Sequence, residues 1–377
     1  MQFGLSESQQ ILKDTARKFF AGECPIASVR KIMETDTAHD AALWSKLAEQ
    51  GFTGIITPEE YGGMGLGKVE LILLMEEAGY ALLPGPFFST VALAAPVIDA
   101  LGTAAQKKKY LERIAAGQAR ATVALVEANG SWDLSALTLS AAGDRLTGTK
   151  FFVTDAAASD FIVVAARDGV WMVDAKESGL RIKPMKSMDL TRKIYSLELK
   201  NTPAEKLGGG GSIVRALDIA AAALCAEMVG GMQRVLETTV AYAKTRKQFG
   251  KPIGIFQAVQ HLCADMYLET ESSRSATYYA AWALEENVTD AANTVSVAKM
   301  YASDASRAVG NRGIQVHGGM GFTWENDLHL YYRRAKASET MLGDATFHRE
   351  RIAKLVIDAA AAGSTKGQER AEVAIGK

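Results

Sequence analysis

Apolar positions recur at helical spacing over most of the chain. Ile11, Leu12, Ala16, Phe19 and Phe20 share one helical face, and Ser6 precedes Gln9 at capping-box spacing, so a first helix begins just after Ser6. Further helical patterns cover residues 40–50, which end at Gly51, and 69–80, which Pro84 and Pro86 stop; two more cover 89–101 and 104–116. Near Arg120 the pattern changes. The runs LTGTKFFVT, DFIVVAAR, GVWMVDA, LRIKPM and IYSLELKN are short, rich in β-branched and aromatic residues, and punctuated by Gly, Asp and Pro, which predicts a small antiparallel β domain. A run of glycines, 208–211, reads as a flexible hinge. Helical spacing then returns over 212–245, 256–286, 289–315, 326–339 and 344–362, ahead of a polar tail that frays or packs on a partner. The expected class is α+β, with an N-terminal helical domain (1–119), a middle antiparallel β domain (120–207) and a C-terminal helical bundle (208–377).

Composition narrows this further. Hydrophobic residues make up 48% and charged residues 23%, the balance of a soluble globular chain, and a net charge of −1 supplies no electrostatic footprint for nucleic acid. No apolar run reaches bilayer length, and the N-terminus lacks a basic-then-apolar leader pattern, so a cytoplasmic location is expected. Cys24, Cys225 and Cys263 are odd in number and far apart, which reads as free thiols in a reducing compartment. The five histidines form no ligand-spaced cluster, so no metal is expected.

The densest stretch of candidate chemistry is YAKTRKQFGKPIGIFQAVQHLCADM, residues 242–266. It joins two apolar helical patterns through Gly250, Pro252 and Gly254, leaving Arg246, Gln248 and Phe249 at a helix end. A fork of fixed donors beside a glycine turn suits a phosphate or pyrophosphate; an exposed connector is the alternative. The stretch closely resembles a signature of the acyl-CoA dehydrogenases, flavoenzymes that introduce a double bond next to a thioester. The α, β, α plan extends that resemblance over nearly the whole chain. It implies FAD as cofactor, with Arg246 on the pyrophosphate, and Phe249 and Gln257 also reaching the FAD of a neighbouring subunit. In a second signature, IQVHGGMGFTWENDLHLYYRRAK, Gly318, Gly319 and Gly321 let backbone approach a ligand without Cβ obstruction, and the resemblance implies cofactor binding here, with Gln315 and Gly319 meeting the adenosine end of a neighbour's FAD. In the middle domain Lys150, Phe151, Phe152, Val153, Thr154 and Asp155 resemble the family's flavin motif, which implies Thr154 at the reactive end of the flavin and Phe152 near the ring.

Two departures stand against these matches. In LVEANGSWD, Val126 replaces a Thr, Ala128 replaces a Pro and Trp132 interrupts the run, leaving backbone N–H groups and Ser131 as substitutes at the flavin edge. Proton removal beside a thioester needs a carboxylate over the α-carbon, with donors on the thioester oxygen. The family's two places for that glutamate fall here on Leu342, whose backbone N–H still supplies a donor, and on Ala220. Asp344, Asp218 and Glu227 are the nearest acids. Their structural alternatives are an N-cap, a solvated carboxylate and a pair within the bundle. Three readings follow: an acyl-CoA dehydrogenase with Asp344 or a neighbour as relocated base; a catalytically incomplete subunit completing a related chain's FAD site; or a flavin-binding relative with other chemistry. The resemblance also implies an acyl-CoA substrate, electron transfer flavoprotein as acceptor, and a homotetramer or a heterotetramer with a related chain.

Overall fold

The computed structural model describes residues 4–358; the expected helix beyond 358 and the polar tail lie outside the described residues. Helix α1 (Glu7–Glu23) starts from the expected capping box, with Gln9 N–H donating to Ser6 Oγ at 3.2 Å and Ser6 N–H to Gln9 Oε1 at 3.0 Å. A short α2 (Ile26–Met33), which the sequence pattern does not announce, buries Val29, Ile32 and Met33. Then come α3 (Ala41–Glu49), N-capped by Asp40, and α4 (Lys68–Tyr80). The helix expected over 89–101 divides into a wide π turn (Phe88–Ala94) and α5 (Ala95–Leu101). Pro96 accounts for the break, since it has no N–H to continue the α-helical ladder. The N-terminal domain closes with α6 (Ala104–Ala115).

The middle domain holds two four-stranded sheets. One orders β1 (Ala121–Ala124), β4 (Phe161–Ala166), β5 (Gly169–Asp174) and β8 (Glu205–Lys206); the other orders β2 (Ala141–Ala142), β3 (Arg145–Thr154), β7 (Ile194–Pro203) and β6 (Leu180–Met185). All pairings are antiparallel except β1 with β4, where Ala121 faces Phe161 in a parallel register. That exception follows from connectivity: between these strands the chain crosses to the second sheet and back, a length parallel neighbours require.

The C-terminal bundle comprises α7 (Ile213–Thr245), α8 (Gln257–Glu285), α9 (Ala291–His317), α10 (Leu328–Thr340) and α11 (Ala345–Ala353). The glycine run entering it is packed, not free. Gly209 N–H donates to Leu101 O, and a Cβ on Gly211 would stand 2.0 Å from Ala100 O. Helices α4 and α7 cross equally closely, since a Cβ on Gly230 would stand 1.8 Å from Glu76 O.

Where the three domains meet lies a buried charge network. Arg334 of α10 donates through Nε to Asp189 (2.7 Å) and through Nη1 to Glu227 of α7 (2.8 Å), while Arg192 donates to the same Glu227 oxygen at 2.6 Å. Asp155, fully buried, accepts from Ser89 Oγ through Oδ2 at 2.8 Å, and its Oδ1 has no partner. Burial pushes its carboxyl up to about 6, against the pull of Arg192. Folding therefore favours the protonated acid, and stability present at low pH is lost as pH rises through about 6. We expect Asp155→Asn to remove this loss, leaving the variant about 2–3 kcal/mol less sensitive between pH 4 and 8. Urea unfolding curves across that range check it; parallel pH profiles for the two proteins would exclude Asp155 as the source.

Candidate active site

The first candidate surface lies where α7 and α9 end. Arg246 caps α7, with its N–H donating to Tyr242 O and its carbonyl accepting from Ile253 N–H, both at 2.8 Å. A two-residue hairpin follows, β9 (Lys247–Gln248) on β10 (Lys251–Pro252), with Lys251 facing Gln248. Phe249 at its tip is left-handed (φ 52°) and 90% exposed, its ring edge-on to Phe256 at 6.1 Å. Gln257 opens α8, and Gln315 sits in the last turn of α9; both are exposed. Beyond it, Gly318 (φ 59°) and Gly319 border open space, because an added Cβ on either meets no atom within 4 Å. The two signatures are joined physically. Tyr242 and His317 stack with centroids 4.2 Å apart, and His317 Nδ1 donates to Gly313 O at 2.8 Å. The sequence gives no sign of that ring pair beyond the presence of both rings.

A second candidate region is a cavity of 570 Å³ between the middle domain and the bundle. Leu125, Trp132 and Leu134 wall one side, the α7 stripe Leu217, Asp218 and Ala221 another, and Leu342, Phe347, His348 and Arg351 the third. Lys150, completely buried, anchors the middle-domain wall by donating to Glu127 Oε1 (2.8 Å) and Leu125 O (3.1 Å). Glu127 also accepts from Thr138 and Leu139, and these bonds outweigh its burial, holding it down to about 2. The loop it supports is bonded to itself. Ser131 N–H donates to Asn129 Oδ1 and Ser131 Oγ accepts from Asp133 N–H, each at 3.1 Å. Phe152 stands at a β3 bulge, left-handed (φ 56°) and half exposed, whereas Thr154 is buried, its carbonyl accepting from Thr122 Oγ1 at 2.7 Å.

None of the acids considered for proton removal presents a free carboxylate to the cavity. Asp344 is exposed and N-caps α11, accepting from Phe347 N–H at 2.8 Å. Asp218 lines the cavity, yet both its oxygens accept from Arg351, at 2.5 and 2.8 Å; burial raises its carboxyl while Arg351 pulls it back. Glu227 belongs to the buried network. Ala220 is fully buried, and Leu342 is buried in a left-handed conformation (φ 59°), which costs a non-glycine residue about 1–2 kcal/mol. Among the described residues no group of His, Cys, Asp and Glu forms a metal site.

A family model described as "Acyl-CoA dehydrogenase, C-terminal domain" matches residues 208–357, and "Acyl-CoA dehydrogenase, N-terminal domain" matches residues 6–118. The chain belongs to the acyl-CoA dehydrogenase family. Acyl-CoA dehydrogenase IpdE2 of Mycolicibacterium smegmatis is 31% identical over 93% of this chain and 98% of its own length; the Mycobacterium tuberculosis protein of that name is 34% identical over 89% and 93%. Among solved structures, the "Tcur3481-Tcur3483 steroid ACAD G363A variant" is 33% identical with a TM-score of 0.87, covering 94% of this chain and 99% of its own. The ChsE4-ChsE5 complex from Mycobacterium tuberculosis is 28% identical with the same TM-score, covering 94% and 98%. Acyl-CoA dehydrogenases are oxidoreductases acting on a CH–CH bond, with FAD as cofactor. The outward surface fits that group: a guanidinium suits the pyrophosphate, the Phe249 ring offers a flat apolar face, and the open glycines admit close approach.

Proposed function

We propose that this chain is the base-lacking subunit of a heteromeric FAD-dependent acyl-CoA dehydrogenase, lending Arg246, Phe249, Gln257, Gln315, Gly318 and Gly319 to a FAD held mainly by a related partner chain. One observation carries the reading: the dinucleotide-facing residues are exposed and open, while Asp344, Asp218 and Glu227, the acids nearest the family's two glutamate positions, are capped or paired. FAD, when bound, supplies the hydride acceptor. Removal of the α-proton then requires a carboxylate, which we assign to the partner. In this chain Phe152, Thr154 and Ser131 are the residues that would face a flavin of its own; the Ser131 backbone N–H is spent on Asn129 and its Oγ accepts from Asp133 N–H, which leaves its O–H as the donor. The neighbours named as a Tcur3481-Tcur3483 steroid ACAD and as a ChsE4-ChsE5 complex support a heteromer and a bulky acyl group. Electron transfer flavoprotein is the acceptor that family membership favours, and a cytoplasmic location accords with it; among the described residues no helix is long and apolar enough to cross a membrane.

The test is purification of the chain alone and with a co-encoded homologue, measuring flavin per chain and enoyl-CoA formation. Yellow, active protein is expected only with the partner; a colourless, inactive complex would sink the proposal. Asp344→Asn, which keeps the cap, should leave turnover within about twofold. A fall of about two to four orders of magnitude would instead make Asp344 the base.

A further inference from the structure

Helix α7 borders two cavities, and the proposed function uses neither the smaller one nor its walls. Val214, Leu217, Asp218 and Ala221 line the 570 Å³ cavity; the same spacing two residues earlier, Ser212, Arg215, Ala216 and Ile219, lines a separate cavity of 330 Å³. Two residues are about 200° of helical turn, so the cavities lie on opposite sides of α7. None of the residues named for the cofactor, and none of the acids considered for proton removal, borders the smaller one.

Its floor is apolar. Ala95 and Pro96 of α5 and Ala216 of α7 are buried there, with Ile56, Leu66 and Ile219 half-buried beside them. Its mouth is polar, with Arg215, Asn287 and Ser212 exposed and Lys68 at the start of α4. The charges at this mouth do not cancel. Asp99 is held by Lys107 at 3.0 Å. Glu285 accepts from the Lys68 backbone N–H and lies 4.0 Å from Lys68 Nζ. Among the described residues Arg215 has no carboxylate partner: its Nη2 donates to Leu284 O at 3.3 Å and to Asn287 Oδ1, both neutral, and its Nε and Nη1 donate to no protein acceptor. Ser212 N-caps α7 at the same place, so the positive end of a helix of 33 residues adds to the field.

An apolar recess with one uncompensated guanidinium at its rim suits an anion that has a hydrocarbon body. The body leaves water on the floor, while the acid stays at the rim and takes charge-assisted bonds. The acyl end of a thioester carries no charge and gains nothing from such a rim.

We infer that this recess binds a small organic acid, with a hydrocarbon body against Ala95, Pro96 and Ala216 and its carboxylate on Arg215, Lys68 being the second cation. The inference goes beyond the proposed function, since it needs neither the cofactor nor the partner chain. An occupant would join α4 and α5 of the N-terminal domain to the first turn of α7, beside the packed glycine run.

The test titrates the purified full-length protein with cyclohexanecarboxylate, cyclohexanecarboxamide and inorganic phosphate, with dissociation constants from ligand-observed NMR. Wild type should bind the carboxylate about tenfold more tightly than the amide, which keeps the ring without the charge, and more tightly than phosphate, which keeps the charge without the ring. Arg215→Gln should abolish the preference for carboxylate over amide, with amide affinity within twofold, and Arg215→Lys should keep most of it. Lys68→Gln, on a different helix, should lower it about threefold. Lys354→Gln, which alters only the larger cavity, should leave it unchanged. Melting temperatures without ligand report whether each variant is folded. Equal binding of carboxylate and amide by wild type, a preference that survives both Arg215→Gln and Lys68→Gln, or one lost in Lys354→Gln overturns the inference. Phosphate bound as tightly as the carboxylate overturns it too, because the apolar floor would then contribute nothing.

Discussion

Arg246→Ala is expected to strip flavin from the assembly, weakening FAD binding by about 10–100-fold while leaving the fold intact. A guanidinium on a pyrophosphate makes charge-assisted hydrogen bonds worth about 1.5–3 kcal/mol, and every 1.4 kcal/mol is about tenfold in affinity. The fold should tolerate the change because the cap at the end of α7 uses only Arg246's backbone, through Tyr242 O and Ile253 N–H. The side chain is exposed and lies outside both hydrophobic cores. The ratio of flavin to protein absorbance after gel filtration, with FAD titration of the apo-assembly, measures the effect. Flavin retention equal to wild type would show that the α7 end does not meet a pyrophosphate.

The second large effect is on stability. Arg334→Met should destabilise the chain by about 3–5 kcal/mol, because it removes one cation from a buried network and leaves Asp189 short of a charge partner. Glu227 keeps Arg192, while Leu83 O and Thr191 Oγ1 lose a donor. The bonds lost join α10 to the middle and N-terminal domains, so the damage should fall on domain docking. Denaturant unfolding gives the magnitude, and proteolysis within the glycine run 208–211 gives the location. A loss below about 1 kcal/mol would mean that water or a rearranged Arg192 satisfies the carboxylates.

Helical periodicity was enough to place most of the helices, because each buries an apolar stripe that the sequence displays. It could not announce α2, eight residues long and lacking a side-chain cap, or the parallel pairing of β1, whose four residues say nothing about the direction of a distant neighbour. The wide turn at Phe88–Ala94 stayed hidden because π and α turns bury the same apolar run. At the candidate site, the exposed helix end bearing Arg246 and Phe249 was readable from Gly250, Pro252 and Gly254. The environments of the acids were not: Asp218 looked solvated in sequence but is buried against Arg351, 133 positions away. Lys299 shows the limit most clearly. One lysine in a helical pattern reads as a solvated residue, and only the fold reveals four acceptors around its ammonium.

The hairpin at the end of α7 also bears on how the protein must be made. Phe249 is 90% exposed and Phe322 73%, with Trp324 nearly half exposed. Apolar rings so placed are tolerable when another chain covers them, and they invite self-association when none does. A cell that translated this chain in excess of whatever covers those rings would accumulate a sticky orphan. Balanced synthesis is therefore a demand the fold places on its own expression, set by Phe322, Trp324 and the Phe249 that we propose reaches outward for the cofactor.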